Sequence, residues 1–398
     1  MLAIPDAAMH ILMLGWELPP VISGGLGTAC AGILKSLSGV DAIDVQFVLP
    51  YLNGEECGEG AHLFPLSPEH DFRGASSSFG AYGMASAAPA AGYLERVKAR
   101  HRQFKPYHVV HAHDWMTFPA AAYLKSVSGC PMVAHIHSIE YDRSARCPDP
   151  TICQTERDGL QVADRIIAVS EYTRQAIIER YQIAPDKIVV VHNVVELDVM
   201  APPGARSGNI ISFIGRVTEQ KGPLLFLDAA LELISRSDDL SFIMAGDGDQ
   251  LPLIKSIVRA NDAERYFTFP GFVGRSEVNR ILSQSSVYVM PSLSEPFGIG
   301  AIEAINAHVP VVASACCGFT EVIGEVLVAD VQDALALANA CRDLIDHPAP
   351  AARRAALALR ELDKLSAANA AAAFAAIYHG LHRPHRACRP ERAVLAAA

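Results

Sequence analysis

Short apolar runs alternate with helix-length stretches from Met9 almost to Asp330, and this alternation is what most constrains the fold. Strands that follow one another only across a helix cannot pair as hairpins, so they lie parallel, covered by helices on both faces. The alternation comes in two series. In the first, residues 9–15, 43–50, 107–113, 131–137, 165–169 and 187–192 read as strands; in the second, residues 209–215, 240–245, 266–269, 287–290, 309–314 and 326–329 do. Between them APPGARSG, residues 201–208, has the Pro and Gly content of a linker. The expected architecture is α/β, with two doubly wound Rossmann-like domains facing each other across a cleft, followed by C-terminal helices.

The boundaries follow from the same pattern. Residues 1–200 form an N-terminal domain, 201–208 the linker, 209–365 a second domain, and 366–398 a helix and tail that pack back on the first. Residues 51–91 are rich in Ala, Ser and Gly and show no clear strand or helix before about Tyr93, so a mostly irregular excursion is expected there. Beyond Asp330 the chain reads as alanine-rich helices, and 367–381 is the segment expected to cross back.

Composition excludes several classes. With 33 Lys and Arg against 43 Asp and Glu, the formal net charge is -10, which opposes nucleic acid as a partner. Any phosphate must be met by a few local cations. No run of strongly apolar residues is long enough for an integral membrane segment. The opening residues carry Asp6 and no basic stretch, so they do not read as a signal peptide. Nine cysteines without a paired framework read as reduced thiols of a cytoplasmic enzyme, each expected to be a small buried hydrophobe.

Ligands of open parallel sheets gather at the carboxyl ends of strands, so residues just beyond each strand carry most weight. After the first strand, WELPPVISGGLGTACAG runs a glycine-rich turn into a helix. Gly24 and Gly25 let the backbone approach a phosphate at the helix's positive end. In the second domain, FIGRVTEQKG places Arg216 and Lys221 after a strand, two cations able to neutralise a diphosphate leaving group. Further on, SEPFGIGAIEA sets Glu295 before a helix and Glu303 within it, with Phe297, Gly298 and Ile299 at the helix start. A carboxylate among Ala301, Ile302, Ala304 and Ile305 needs a bonding partner, which a ribose with two vicinal hydroxyls would provide.

With these motifs in this order the chain resembles retaining glycosyltransferases of family four, which share the GT-B fold with glycogen and starch synthases. WELPPVISGGLG, VVHAHDW, HIHS, ADRIIAVSEYT, IVVVHNVV, FIGRVTEQKG, IMAGDGDQ and SEPFGIGAIEA carry the resemblance over about residues 9–325. It implies that Arg216 and Lys221 hold the donor diphosphate, Glu303 the ribose hydroxyls and Glu295 the donor sugar. The amides of Phe297, Gly298 and Ile299 complete the donor site, and His137 faces the reacting carbon from the other domain. The catalytic set is then His137, Arg216, Lys221 and Glu295. Bacterial glycogen synthases carry a lysine two residues before the glycine pair, where Ile22 stands here. The expected donor is therefore a UDP-sugar, UDP-glucose in the first place, with ADP-glucose as second choice.

The expected reaction is transfer of that sugar with retained configuration, without metal or other cofactor, and with closure about the linker. The acceptor is expected to be a glucan or oligosaccharide met by Asp114, Trp115, Glu140 and Tyr141, which follow strands of the first domain. A competing class is a metal-dependent hydrolase: His111, His113 and Asp114 end one strand, His135 and His137 another, and alternation puts each histidine pair on one sheet face. Asp247 and Asp249 form an Asp-x-Asp that reads as a tight turn and helix cap rather than a metal site. A third class is an inactive binding scaffold, opposed by the presence of Arg216, Lys221 and Glu295.

Overall fold

A computed structural model describes residues 8–20, 25–52, 54, 56, 58–67, 88–144, 146–195, 197, 209–237, 239–330 and 333–382. The chain divides into two compact units. One comprises the chain up to Glu196 together with the residues from Leu365 on, and the other is Leu197–Lys364.

The first unit runs β1 (Met9–Leu14), α1 (Gly25–Ser38), β2 (Ile43–Leu49), β3 (His62–Pro65), α2 (Ala88–Arg100), β4 (Val109–His113), α3 (Phe118–Ser128) and β5 (Met132–Ile136). It continues with the single turn α4 (Glu140–Arg143), then α5 (Pro150–Val162), β6 (Arg165–Ala168), α6 (Glu171–Tyr181) and β7 (Ile188–Val190). Its sheet has the order β3-β2-β1-β4-β5-β6-β7, with every pairing parallel. All positions of β4 and β5 are buried, as strands covered on both faces must be. Helix entries follow local chemistry: Asp149 accepts the Thr151 and Ile152 amides ahead of α5, and Ser170 accepts the Thr173 amide at α6.

The second unit runs β8 (Asn209–Ile214), α7 (Pro223–Ile234), β9 (Leu240–Ala245), α8 (Leu251–Ala260), β10 (Phe267–Gly271) and α9 (Arg275–Gln284). It continues with β11 (Val287–Met290), α10 (Ile299–Asn306), β12 (Val311–Ser314), β13 (Leu327–Ala329), α11 (Ala334–Asp346) and α12 (Pro348–Glu361). Its parallel sheet has the order β10-β9-β8-β11-β12-β13. In each unit the order reverses once, between β1 and β4 and between β8 and β11. Such a reversal splays the flanking loops and opens a ligand crevice at the strand ends. The last helix, α13 (Ala367–Leu381), packs on α1 and adds Ala370, Phe374 and Tyr378 to the first unit's core.

Two departures from the sequence expectations fall between residues 51 and 91. β3 is a strand, pairing Gln46 with His62 and Leu49 with Pro65, and α2 begins at Ala88, before Tyr93. His-Leu-Phe-Pro is too short to show alternation and ends in a residue that removes a ladder donor, so only the β2 edge organises it. Against the expectation for every cysteine, the structure buries Cys30, Cys130, Cys317 and Cys341 but leaves Cys147 exposed. The linker 201–208, the tail beyond 382 and most of the expected excursion lie outside the described residues.

Candidate active site

The second unit's polar residues collect at its order reversal. Leaving β8, the chain passes Arg216 and tightens into a 3-10 turn, Glu219–Lys221, that ends at Gly222 with φ +64°. A Cβ on Gly222 would stand 2.0 Å from the Pro291 carbonyl oxygen, so only glycine lets this loop touch the one leaving β11. That contact brings Lys221 to Glu295, with Nζ to Oε2 at 2.6 Å. Ser292 Oγ donates to the same oxygen at 3.2 Å. Glu295 is also anchored through its backbone, donating to Cys316 O and accepting from Gly318 N. The Lys221 side chain is 22% exposed and that of Glu295 8%, a charged pair at the edge of the interior.

Arg216 donates to the Gln220 side-chain oxygen at 3.0 Å, which aims the guanidinium along the same loop. Gly298 caps α10 with φ +111°, and a Cβ there would meet the Phe319 ring at 2.7 Å. Phe297 is buried and its carbonyl accepts the Phe319 amide, which fixes the helix start behind Glu295. Ile299 opens the helix, and Glu303 on its second turn is half-buried rather than enclosed. Burial and then the Glu295 carboxylate push the Cys317 thiol up to about 12, so behind this carboxylate stands a neutral neighbour. Asp247 and Asp249 are exposed, and Asp247 accepts the Gly248 amide in a turn. The helix cap expected there falls instead on Gln250, which makes no side-chain cap bond.

The first unit's candidates are interior. Parallel pairing sets His113 opposite His135. The rings of His111, His113, His135 and His137 adjoin with neighbouring centroids 4.3–5.3 Å apart, stacked in the pairs 111–113, 111–135 and 135–137 and tilted in the pairs 113–135 and 113–137. Tyr378 Oη meets His111 Nδ1 at 2.7 Å, His111 Nε2 meets His135 Nδ1 at 3.2 Å, and His113 Nδ1 meets His137 Nε2 at 3.0 Å. Burial holds all four below the ordinary histidine range, His111 and His137 at about 3, so the rings are neutral at pH 7. Asp114, at φ +56°, accepts the His137 amide at 2.7 Å and ties the ends of β4 and β5 together.

Of the residues expected to meet an acceptor, Asp114, Trp115 and Glu140 are buried, and Tyr141 alone is partly exposed. Glu140 pairs with Arg143 at 3.1 Å and accepts the Asp149 amide, while Arg143 also pairs with Glu156 at 2.8 Å. The Glu140 carboxylate is thus engaged by the protein itself, and Trp115 is enclosed in the core. Gly24 lies outside the described residues, and Gly25 opens α1. There the Glu17 carboxylate accepts the Gly27 amide at 3.3 Å, so an anion already occupies a helix start expected to meet a phosphate.

Sequence reasoning missed Gln220 and Ser292, which orient Arg216 and Glu295, although Gln220 stands inside the motif FIGRVTEQKG and Ser292 two residues before SEPFGIGAIEA. It missed Cys30 and Tyr378 beside the histidines for a different reason, since neither lies near them in sequence. No helix among the described residues is long and apolar enough to cross a membrane.

Two doubly wound parallel sheets, one carrying a cationic loop and a carboxylate at its order reversal, define a protein of the GT-B class. Residues 24–199 match the model described as Glycosyltransferase Family 4, and residues 208–347 that described as Glycosyl transferases group 1. The chain belongs to this glycosyltransferase family. The glycogen synthase of Mycobacterium tuberculosis is 28% identical over 376 residues, which cover 89% of this chain and 90% of that one. Sucrose-phosphate synthase from Thermosynechococcus elongatus superposes with a TM-score of 0.76 at 19% identity, covering 94% of this chain and 99% of that structure. Anabaena HepE in complex with UDP-glucose gives 0.69 at 16% identity, covering 94% and 100%.

Proposed function

We propose that this glycosyltransferase moves a glucosyl group from a nucleoside-diphosphate donor, UDP-glucose by preference, to a hydroxyl of a glucan or oligosaccharide. The configuration is retained and no metal is needed. The observation that carries the reading is the Lys221–Glu295 pair at 2.6 Å, beside Arg216 and the start of α10. Departure of a diphosphate builds negative charge on its oxygens, and two preorganised cations oppose that charge without a metal. Glu295, held by Lys221 and Ser292, is positioned to accept hydroxyls of the donor sugar. Glu303 takes the ribose hydroxyls, and the amides of Phe297, Gly298 and Ile299 complete the donor contacts.

His137 contributes a neutral imidazole to the reacting sugar. Held at about 3, it donates or accepts a hydrogen bond at pH 7 but does not carry charge. The donor preference rests on Anabaena HepE having been solved with UDP-glucose, and the glucan acceptor on the relation to glycogen synthase. Tyr141, partly exposed, is the aromatic residue proposed to meet an acceptor ring. The hydrolase reading of His111, His113, Asp114, His135 and His137 is not favoured by the family match, and the cytoplasm is the proposed location. The test is a thermal-shift screen of UDP, ADP and GDP followed by donor-hydrolysis assays with and without EDTA. A larger UDP shift and chelator-insensitive hydrolysis of UDP-glucose are expected; a larger ADP shift overturns the donor, and loss of hydrolysis with EDTA overturns metal independence.

A further inference from the structure

His113 and His137 share one hydrogen bond, and their other ring nitrogens, Nε2 and Nδ1 respectively, are buried without a partner. A neutral pair has two N–H groups and two lone pairs, and the mutual bond uses one of each. One donor and one acceptor are left in an interior where each costs about 1–3 kcal/mol. Cys30, fully buried on α1, completes a group with them. One donor atom from each of Cys30, His113 and His137 lies within 4.8 Å of the other two.

A second trio, His111, His113 and His135, lies within the same 4.8 Å limit, and charge separates the two. Three neutral imidazoles bring no ligand charge of their own to a divalent ion, whereas a cysteine ligand brings a thiolate. Around Cys30 the balance differs. Asp114 is fully buried and accepts the His137 amide at 2.7 Å, which sets a carboxylate beside this group. One thiolate and the Asp114 carboxylate together cancel two positive charges.

We propose that Cys30, His113 and His137 form a site for one borderline-soft divalent ion of the zinc class, and that its occupation switches sugar transfer off by engaging His137. One sulfur and two imidazoles leave a fourth tetrahedral position for water, and the thiol proton passes to solvent as the ion binds. Imidazole and thiolate select this class over magnesium or calcium, which prefer oxygen. The inhibitory half rests on the role proposed above for His137; the binding half stands apart from it.

The test uses the full chain stripped with EDTA, titrated with Zn²⁺ by calorimetry and with Co²⁺ by absorption. One ion per chain and a thiolate-to-cobalt charge-transfer band are expected. Cys30→Ser should remove the band and weaken Zn²⁺ binding by at least ~100-fold, the upper end of what losing even an outer-shell partner costs. His111→Gln should leave both unchanged. Matching unfolding midpoints in EDTA establish that the serine variant is folded, and Cys30→Ala replaces it if they differ. Absence of stoichiometric binding, binding that survives both Cys30 variants, or binding abolished by His111→Gln overturns the site. Zn²⁺ should also depress donor hydrolysis at least ~10-fold in the native chain and not in Cys30→Ser. If the ion binds through Cys30 without that inhibition, the switch is overturned. If metal-free protein hydrolyses no donor, the transfer reading fails, and the cobalt spectrum still decides the site.

Discussion

Lys221 and His113 hold comparable places, each at the carboxyl edge of a parallel sheet beside the point where strand order reverses, yet their surroundings are opposite. Lys221 is charged, 22% exposed, and paired with one carboxylate through loops that approach backbone to backbone. His113 is neutral, fully buried, and surrounded by other side chains. A charge must keep some contact with water or a strong partner, so the charged site stays at the edge and is built from short loops. Neutral imidazoles can be stacked inside, and there each one's state depends on its neighbours. Glu140, Arg143 and Glu156 show the third arrangement, charges that are buried and tolerated because they meet each other.

This contrast can be broken at its strongest point by removing the buried cation. Arg143→Met leaves Glu140 and Glu156 without their cation in the interior, and a loss of about 3–5 kcal/mol in denaturant unfolding is expected. A loss below about 1 kcal/mol would show that the network is not what tolerates these charges. Next in size is Lys221→Ala, expected to lower transfer by roughly 10²-fold or more, by analogy with removing one preorganised donor to a developing anion. Full activity with every nucleotide sugar would end the assignment of the charged edge as the donor site.

A smaller effect sharpens the neutral side. His111 and His137 titrate near 3 in the fold, against about 6.5 in an unfolded chain. The unfolded chain therefore binds more protons as pH falls. Stability is full above pH 6.5 and declines from there toward pH 3, at ~1.4 kcal/mol per pH unit for each such ring. Acid unfolding of His111→Phe should show a shallower decline across that window, and an unchanged slope would contradict burial of a neutral ring at that position. The smallest effect concerns Phe272, 78% exposed on the loop after β10. Phe272→Ser should alter stability by no more than about 0.5 kcal/mol. It should also leave the preference between UDP and ADP unchanged in the thermal-shift screen, since Phe272 is not among the residues proposed to hold the donor.

How much of this was legible in the sequence depended on distance along the chain. Arg216 and Lys221 are positioned by the loop that carries them, and Glu295 by the loop that follows β11, so strand ends and glycines were enough to find them. The histidines were found for the same reason, but their setting was not. Alternation puts His111 and His113 on one face without saying that Tyr378, 267 residues away, closes over the first. Glu140 was read as an acceptor contact because it follows β5, whereas Arg143 and Glu156 engage it. β3 was invisible because four residues ending in proline carry no pattern of their own.

By itself the sequence determined the parallel α/β class, the two series of strands and the charged residues at the second sheet's edge, because hydrophobic periodicity and loop chemistry act within a few residues. Only the tertiary structure decided which polar residues are interior, that Glu17 meets the α1 start, and that Cys30 joins His113 and His137. Burial and pairing are properties of segments brought together from far apart, and a side chain's charge state follows from them rather than from its neighbours in sequence.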